Sequence, residues 1–86
     1  MFDEQKELDT IKTEHNFFNV GDLIPVNRFD EHDMHIKEHK KFKKSLEEQE
    51  DTDFNRQKLL ILNEHITNHE LFKSRIKNKS NRNVLQ

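Results

Sequence analysis

Cysteine is absent from this chain, as are tryptophan and tyrosine, and there is one glycine, Gly21, and one proline, Pro25. Without cysteine no disulfide can staple the fold and no thiolate can act as a nucleophile. A single glycine leaves no phosphate-cradling loop. Ser45, Ser74 and Ser80 sit in basic contexts without a glycine elbow or an oxyanion nest. Apolar residues make up 30% of the 86, against 37% charged. A chain so short and so polar can bury one modest seam, not an enzyme-sized interior with a deep pocket. Domains this slight need a staple or a partner, which here means a metal ion or another protein surface. No apolar run approaches the length that spans a bilayer. The first residues are acidic and lack the apolar core of a signal peptide. The expectation is a soluble, non-enzymatic protein that stays where it is made or is packed into an assembly there.

The formal net charge is −2, too near balance for a simple polycation that coats nucleic acid. Its placement is uneven. Asp3, Glu4, Glu7 and Asp9 crowd the beginning, Lys37, Lys40, Lys41, Lys43 and Lys44 form a basic run, and Arg75, Lys77, Lys79 and Arg82 end the chain without an acid. A solvated helix face is the plain reading of the lysines. The functional one is neutralisation of phosphates on DNA, with Lys40, Lys41, Lys43, Lys44, Lys77 and Lys79 as the contacts. No aromatic residues interleave to stack bases.

What the sequence does have is a repeat. His35-Ile36-Lys37-Glu38-His39-Lys40-Lys41-Phe42 is echoed by His65-Ile66-Thr67-Asn68-His69-Glu70-Leu71-Phe72. Both copies read His-Ile-x-x-His-x-x-Phe, and residues four apart share a helix face. The first copy lies on a stripe of Phe29, His32, His35/Ile36, His39, Phe42 and Leu46, starting near Asn27 or Asp30, both residues that cap helices. The second lies on Phe54, Lys58, Ile61/Leu62, His65/Ile66, His69, Phe72 and Ile76, capped by Thr52 or Asp53. With the turn near residue 52, the two form an antiparallel helical hairpin. Counting from the turn sets His39 opposite His65, His35 opposite His69, Phe42 near Leu62 and His32 near Phe72.

The expected organisation is all-α. Residues 1–26 form an extended or weakly helical N-terminal arm, 27–79 the His-rich hairpin, and 80–86 a disordered tail. In the arm, Phe2, Leu8, Ile11 and His15 are roughly in helical phase up to about Phe17, before Asn19-Val20-Gly21-Asp22 breaks the pattern. Pro25 then holds Ile24 extended. Leu23, Ile24 and Val26, with Phe29, Phe42 and Phe72, are the apolar residues expected to dock on a partner protein.

Three readings of the histidines stand side by side. As structure, each imidazole fills the seam like a small aromatic and bonds its ring nitrogens to Asp30, Glu31, Asp33, Glu38, Glu64, another histidine or water. As a metal site, His35, His39, His65 and His69 are two bidentate pairs facing each other, suited to Zn and open to Ni or Cu. As a pH sensor, the four repel once protonated, and the hairpin loosens around pH 5–6.

The segment Asn27–Ser45, with His32, His35, His39, Phe42 and Ser45, followed by Asp53-Phe54 and His65-x-x-x-His69, resembles His-rich helical hairpins of tailed-bacteriophage virion proteins, head or portal-associated. The likeness covers roughly residues 26–76. It implies a structural component of the virion interior, such as an inner core protein, present in multiple copies. Such a component docks on capsid or portal protein, with packaged double-stranded DNA as a further contact and the host cytoplasm as the place of assembly. An assembly scaffold is a close variant. His35-x-x-x-His39, His65-Ile66 and Glu70 are also similar to the second half of the hemerythrin di-iron motif. That likeness implies iron in place of zinc. It departs from the family in lacking a His-x-x-x-Glu helix before residue 30 and in having Glu70 where the family has Asp, so a four-helix iron site would need a dimer.

Overall fold

A computed structural model describes the backbone of residues 3–85 and the side chains of residues 3–75. The described chain is helical in three places, α1 Glu4–Asn19, α2 His32–Glu47 and α3 Asp53–Leu85, and no strand occurs among the described residues. Helices α2 and α3 form the expected antiparallel hairpin. Its register is the one counted off from the turn: the His39 and His65 rings are 4.8 Å apart and those of His35 and His69 4.7 Å, while His32 stacks on Phe72 at 5.6 Å.

The arm holds more order than its sequence suggested. Asp3 caps α1 by accepting from the Lys6 amide at 3.2 Å, and Glu4 and Glu7 complement the positive end of the helix dipole. The helix ends in a Schellman turn. The Asp22 amide reaches Phe17 O and the Gly21 amide reaches Phe18 O, both at 3.0 Å. Gly21 takes φ +82° there, a conformation that a side chain would strain. The buried face of α1 is Ile11, Glu14 and Phe18, not the Phe2/Leu8/Ile11/His15 set. Leu8 and His15 are half-buried beside it, and Phe2 lies outside the described residues.

The first hairpin helix starts later than expected, at His32. Asn27 and Asp30, the candidate caps, bond to their own turn instead. The Phe29 amide donates to Asn27 Oδ1 at 2.9 Å, and the Asn27 amide donates to Asp30 Oδ2 at 3.2 Å. Phe29 is thereby left off the helix and 81% exposed. Helix α3 begins as expected, with Thr52 Oγ1 accepting from the Asn55 amide at 3.1 Å. The backbone continues helical to Leu85, through the segment expected to be a disordered tail. No proline or glycine interrupts residues 53–85.

Helix α1 lies across the hairpin and contacts both of its helices. Phe18, Leu46, Leu62 and Ile66 form the apolar cluster, with Ile24, Phe42, Leu59 and Ile61 packed around it. Fully burying each such side chain contributes roughly 1.5–3 kcal/mol. That is a small core. The other fully buried side chains of any size are His35, His39, His65 and His69. The interior is therefore as much imidazole as hydrocarbon, which sets the problem of what satisfies the nitrogens.

Candidate metal centre

Each of the four histidines directs one ring nitrogen outward to a partner. His65 Nδ1 donates to the carbonyl of Ile24 at 2.6 Å, which the extended segment before Pro25 places over α3. His35 Nε2 donates to Glu7 Oε1 at 2.6 Å, with Asp30 Oδ1 at 3.9 Å. His32 Nε2 donates to the Arg28 carbonyl at 3.3 Å, so neutral His32 presents Nδ1 as an acceptor. His69 Nδ1 donates to it at 2.8 Å. His39 Nδ1 pairs with His15 Nε2 at 2.9 Å, beneath the stacked rings of His15 and Phe42. Helix α1, α2 and the segment between them thus supply an outer ring of partners.

The second nitrogens converge. A ligand atom from each of His35, His39, His65 and His69 lies within 4.8 Å of the other three. His65 Nε2 and His69 Nε2 approach to 3.1 Å. Glu14 enters from α1, with Oε1 3.3 Å from His35 Nδ1, 3.3 Å from His39 Nε2 and 3.7 Å from His65 Nε2. Glu14 Oε1, His35 Nδ1 and His39 Nε2 are buried without a hydrogen bond. Proton placement explains how atoms so close stay unbonded. In the neutral rings the outer acceptors take the proton of His35, His65 and His69, so the inner nitrogens carry lone pairs. His39 does the same whenever its Nδ1 donates to His15. Lone pairs and a carboxylate aimed at one point repel until something positive sits among them.

The titration of these groups reflects that crowding. Burial opposes charge on Glu14, yet contacts to His35, His39 and His65 outweigh it and hold its carboxyl far below the usual carboxylate range. Burial also opposes charge on His35, but Glu14, Glu7 and Asp30 raise it above the ordinary value. His69 is pushed down to about 3, by burial first and then by the other imidazoles. His15 falls to about 4, through burial and the neighbouring His39, and His39 is lowered as well, chiefly by burial. Asp30 is raised, mainly by burial.

A donor set of buried imidazoles and one carboxylate suits first-row divalent ions. Bonds of about 2.1 Å put neighbouring donors about 3.0–3.4 Å apart in tetrahedral to octahedral arrangements. Several of the present separations already lie in that range. Histidine ligands are ordinarily oriented by hydrogen bonds from their other nitrogen to a carboxylate, a carbonyl or water. The outer bonds of His35 and His65 have that form, and His39 and His69 pair with the imidazoles of His15 and His32 in its place. None of it was legible in the acids proposed as partners from the sequence. Of those, Asp30 alone comes near, while Glu31, Asp33 and Glu64 are exposed and Glu38 pairs with Lys41 at 3.2 Å. Glu70, the acid of the hemerythrin likeness, is also outside the centre, 3.8 Å from Lys40 on the surface. Glu7 and Glu14 were missed. Their signal was present, since Glu7, Ile11, Glu14 and Phe18 recur at steps of four, three and four.

The remaining candidate residues are dispersed. Phe42 and Phe72 are half-buried against His15 and His32, so their rings are engaged within the chain. Ile24 packs on the apolar cluster and Val26 is half-buried, while Leu23 is 54% exposed like Phe29 near it in sequence. Lys40, Lys41 and Lys44 are exposed and Lys43 half-buried, with Lys40 and Lys41 facing acids of their own chain. Lys77 and Lys79 have side chains outside the described residues. No helix among the described residues is long and apolar enough to cross a membrane. Comparison with protein-family models, with curated proteins and with solved structures finds no match.

Proposed function

We propose that this chain is a metal-binding helical protein in which His35, His39, His65 and His69 hold one divalent transition-metal ion. The ion acts as the staple of a core too small to stand alone. The observation that carries this reading is the division of labour in the imidazoles: each bonds one nitrogen outward, while the inner nitrogens of His35 and His39 are buried without a partner and those of His65 and His69 meet only each other, at 3.1 Å. A purely structural role for the histidines accounts for the outer bonds and relieves the centre only where a proton sits between His35 and Glu14, leaving the inner nitrogens of His39, His65 and His69 opposed. A cation resolves them. Zinc and iron both suit imidazole. Full burial of the histidine donors supports a structural role for the ion.

Metal analysis of protein purified without a polyhistidine tag tests this directly. About one equivalent of a single ion is expected, with the site refilling after chelation and dialysis. Less than about a tenth of an equivalent, with no uptake of added Zn or Fe, would remove the reading, because a formed four-ligand site binds tightly.

A second reading, docking on capsid or portal protein inside a phage particle, draws on the sequence likeness and on the uncovered side chains of Leu23 and Phe29. It is compatible with a metal staple. Mass spectrometry of purified virions should then find the chain, and its consistent absence from mature particles would leave the scaffold variant or neither.

A further inference from the structure

Helix α1 contributes a single carboxylate to the interior, and its position relative to the four imidazoles is uneven. Glu14 Oε1 is 3.3, 3.3 and 3.7 Å from donor nitrogens of His35, His39 and His65. With bonds of about 2.1 Å, cis ligands of a five- or six-coordinate ion stand about 3 Å apart and trans ligands about 4.2 Å. A carboxylate oxygen near three of four nitrogens is therefore placed as an additional ligand, adjacent to those three. It is not placed as a remote counter-charge. A second observation points the same way. Glu14 is 9% exposed, and this oxygen is buried with no hydrogen bond to account for its burial. An uncompensated buried carboxylate is costly, so an oxygen aimed at the imidazole nitrogens needs a cation or a proton there.

The surroundings of α1 give this ligand a consequence. The helix reaches the hairpin through Ile11 and Phe18 on its apolar side and through Glu7 and Glu14 on its acidic side. Glu7 orients His35 from outside while Glu14 meets the same ring from inside. A helix of 16 residues with two large buried apolar side chains is marginal by itself. Its attachment depends on what those two carboxylates bind.

Resting on the metal reading above, we propose that Glu14 is a fifth protein ligand. It makes the centre a five- or six-coordinate His₄-carboxylate site in place of a closed tetrahedral one. Coordination is then what fastens α1 to the hairpin. The ion expected is one that accepts mixed nitrogen and oxygen donors at higher coordination number, such as Fe²⁺, Mn²⁺ or Co²⁺. Zn²⁺ held by four nitrogens alone is the arrangement it excludes.

Cobalt substitution of the full chain separates the outcomes. Five- or six-coordinate Co²⁺ absorbs visible light several-fold more weakly than tetrahedral Co²⁺. The wild type is expected to bind one Co²⁺ with weak bands. Glu14→Leu, which removes the carboxylate and leaves little room for water, is expected to bind through the histidines with the intense tetrahedral spectrum. Amide hydrogen exchange supplies the second readout: Co²⁺ should protect residues 4–19 in the wild type but not in the variant, while α2 and α3 are protected in both. If Glu14→Leu fails to fold, the wild-type spectrum and its exchange pattern still decide, with Glu14→Gln as the milder substitution. An intense tetrahedral spectrum in the wild type overturns the fifth ligand and leaves the histidine site standing. No uptake of Co²⁺ by the wild type overturns both.

Discussion

His32 Nδ1 accepts a hydrogen bond from His69 Nδ1 at 2.8 Å, because the other nitrogen of His32 is committed to the carbonyl of Arg28. One turn of backbone before α2 thus settles which nitrogen of a residue on α3 faces the centre. His32 also stacks on Phe72, so its ring has a packing role that can be separated from its bonding role. His32→Phe keeps a flat ring and loses the acceptor. It is expected to leave the helix content unchanged and to weaken metal affinity by about 10–100-fold, the usual cost of removing such an outer partner. Competition against a chromophoric chelator measures it. Unchanged affinity would mean that His69 is oriented by packing alone.

Acid should loosen the metal-free protein, and the sign follows group by group. His69, His15 and His39 have folded values below their ordinary 6.5. The unfolded chain therefore binds more protons at these sites, and stability falls as pH drops below about 6.5, toward 4 for His15 and 3 for His69. His35 is raised and acts in the opposite sense, its contribution present below 6.5 and lost as pH rises through its folded value. Glu14 is lowered, so its contribution is lost as pH falls below its ordinary 4.5. Three lowered histidines outnumber one raised, and each net proton taken up on unfolding costs about 1.4 kcal/mol per pH unit. Thermal melts by circular dichroism should show a falling midpoint from pH 6.5 down to 4.5, and the fall should continue beneath it. There Glu14 adds to the fall, His15 stops adding once protonated in the fold near 4, and the raised Asp30 offsets it. Added metal should shift the whole curve to lower pH, since its ligands must be deprotonated. A midpoint flat from pH 7 to 5 without metal would contradict the clustering of the imidazoles.

The hairpin was legible because its two copies of His-Ile-x-x-His-x-x-Phe share a period, and a short turn leaves one antiparallel register. His39 against His65 and His35 against His69 followed by counting. Glu14 was not legible in that way. It is one of four acids on α1, which together read as a solvated face, and its phase with Glu7, Ile11 and Phe18 gains meaning once α1 is laid over the hairpin. His15 was assigned to the apolar phase of α1, whereas it sits at the edge of that face and reaches sideways to His39. The start of α2 was misjudged because Asn27 and Asp30 carry cap chemistry, which goes instead to the turn before the helix, Asp30 accepting from the Asn27 amide and Asn27 from the Phe29 amide.

Phe18 tests how much the apolar part of the core contributes. It is fully buried and its ring lies edge-on to His65 at 5.0 Å and to His39 at 5.8 Å. Phe18→Ala should cost about 3–5 kcal/mol, a large fraction of the stability of a domain this size. The metal-free variant is expected to be substantially unfolded at room temperature. Saturating metal should recover folding, since an ion at 1,000 times its dissociation constant adds about 4.1 kcal/mol. Urea titrations with and without metal check both halves. Loss of folding that metal does not restore would show that α1 packing precedes assembly of the centre.

Gly21 links the end of α1 to the centre through the backbone. Its φ of +82° closes the Schellman turn, and a Cβ there would meet the Phe54 ring at 3.2 Å. The chain leaving that turn passes through Ile24, whose carbonyl accepts from His65 Nδ1 at 2.6 Å. Gly21→Ala therefore strains the turn by about 1–2 kcal/mol and displaces an acceptor that fixes the tautomer of a ligand. Two effects are expected together: a lower melting midpoint without metal, and weaker metal binding than that loss of stability alone explains. Ser45→Ala, on the exposed face of α2, is the matched control and should alter neither. If Gly21→Ala lowers the midpoint while affinity holds, the Ile24 carbonyl follows His65 wherever it sits, and the outer bond is a consequence of the centre's geometry, not a cause of it.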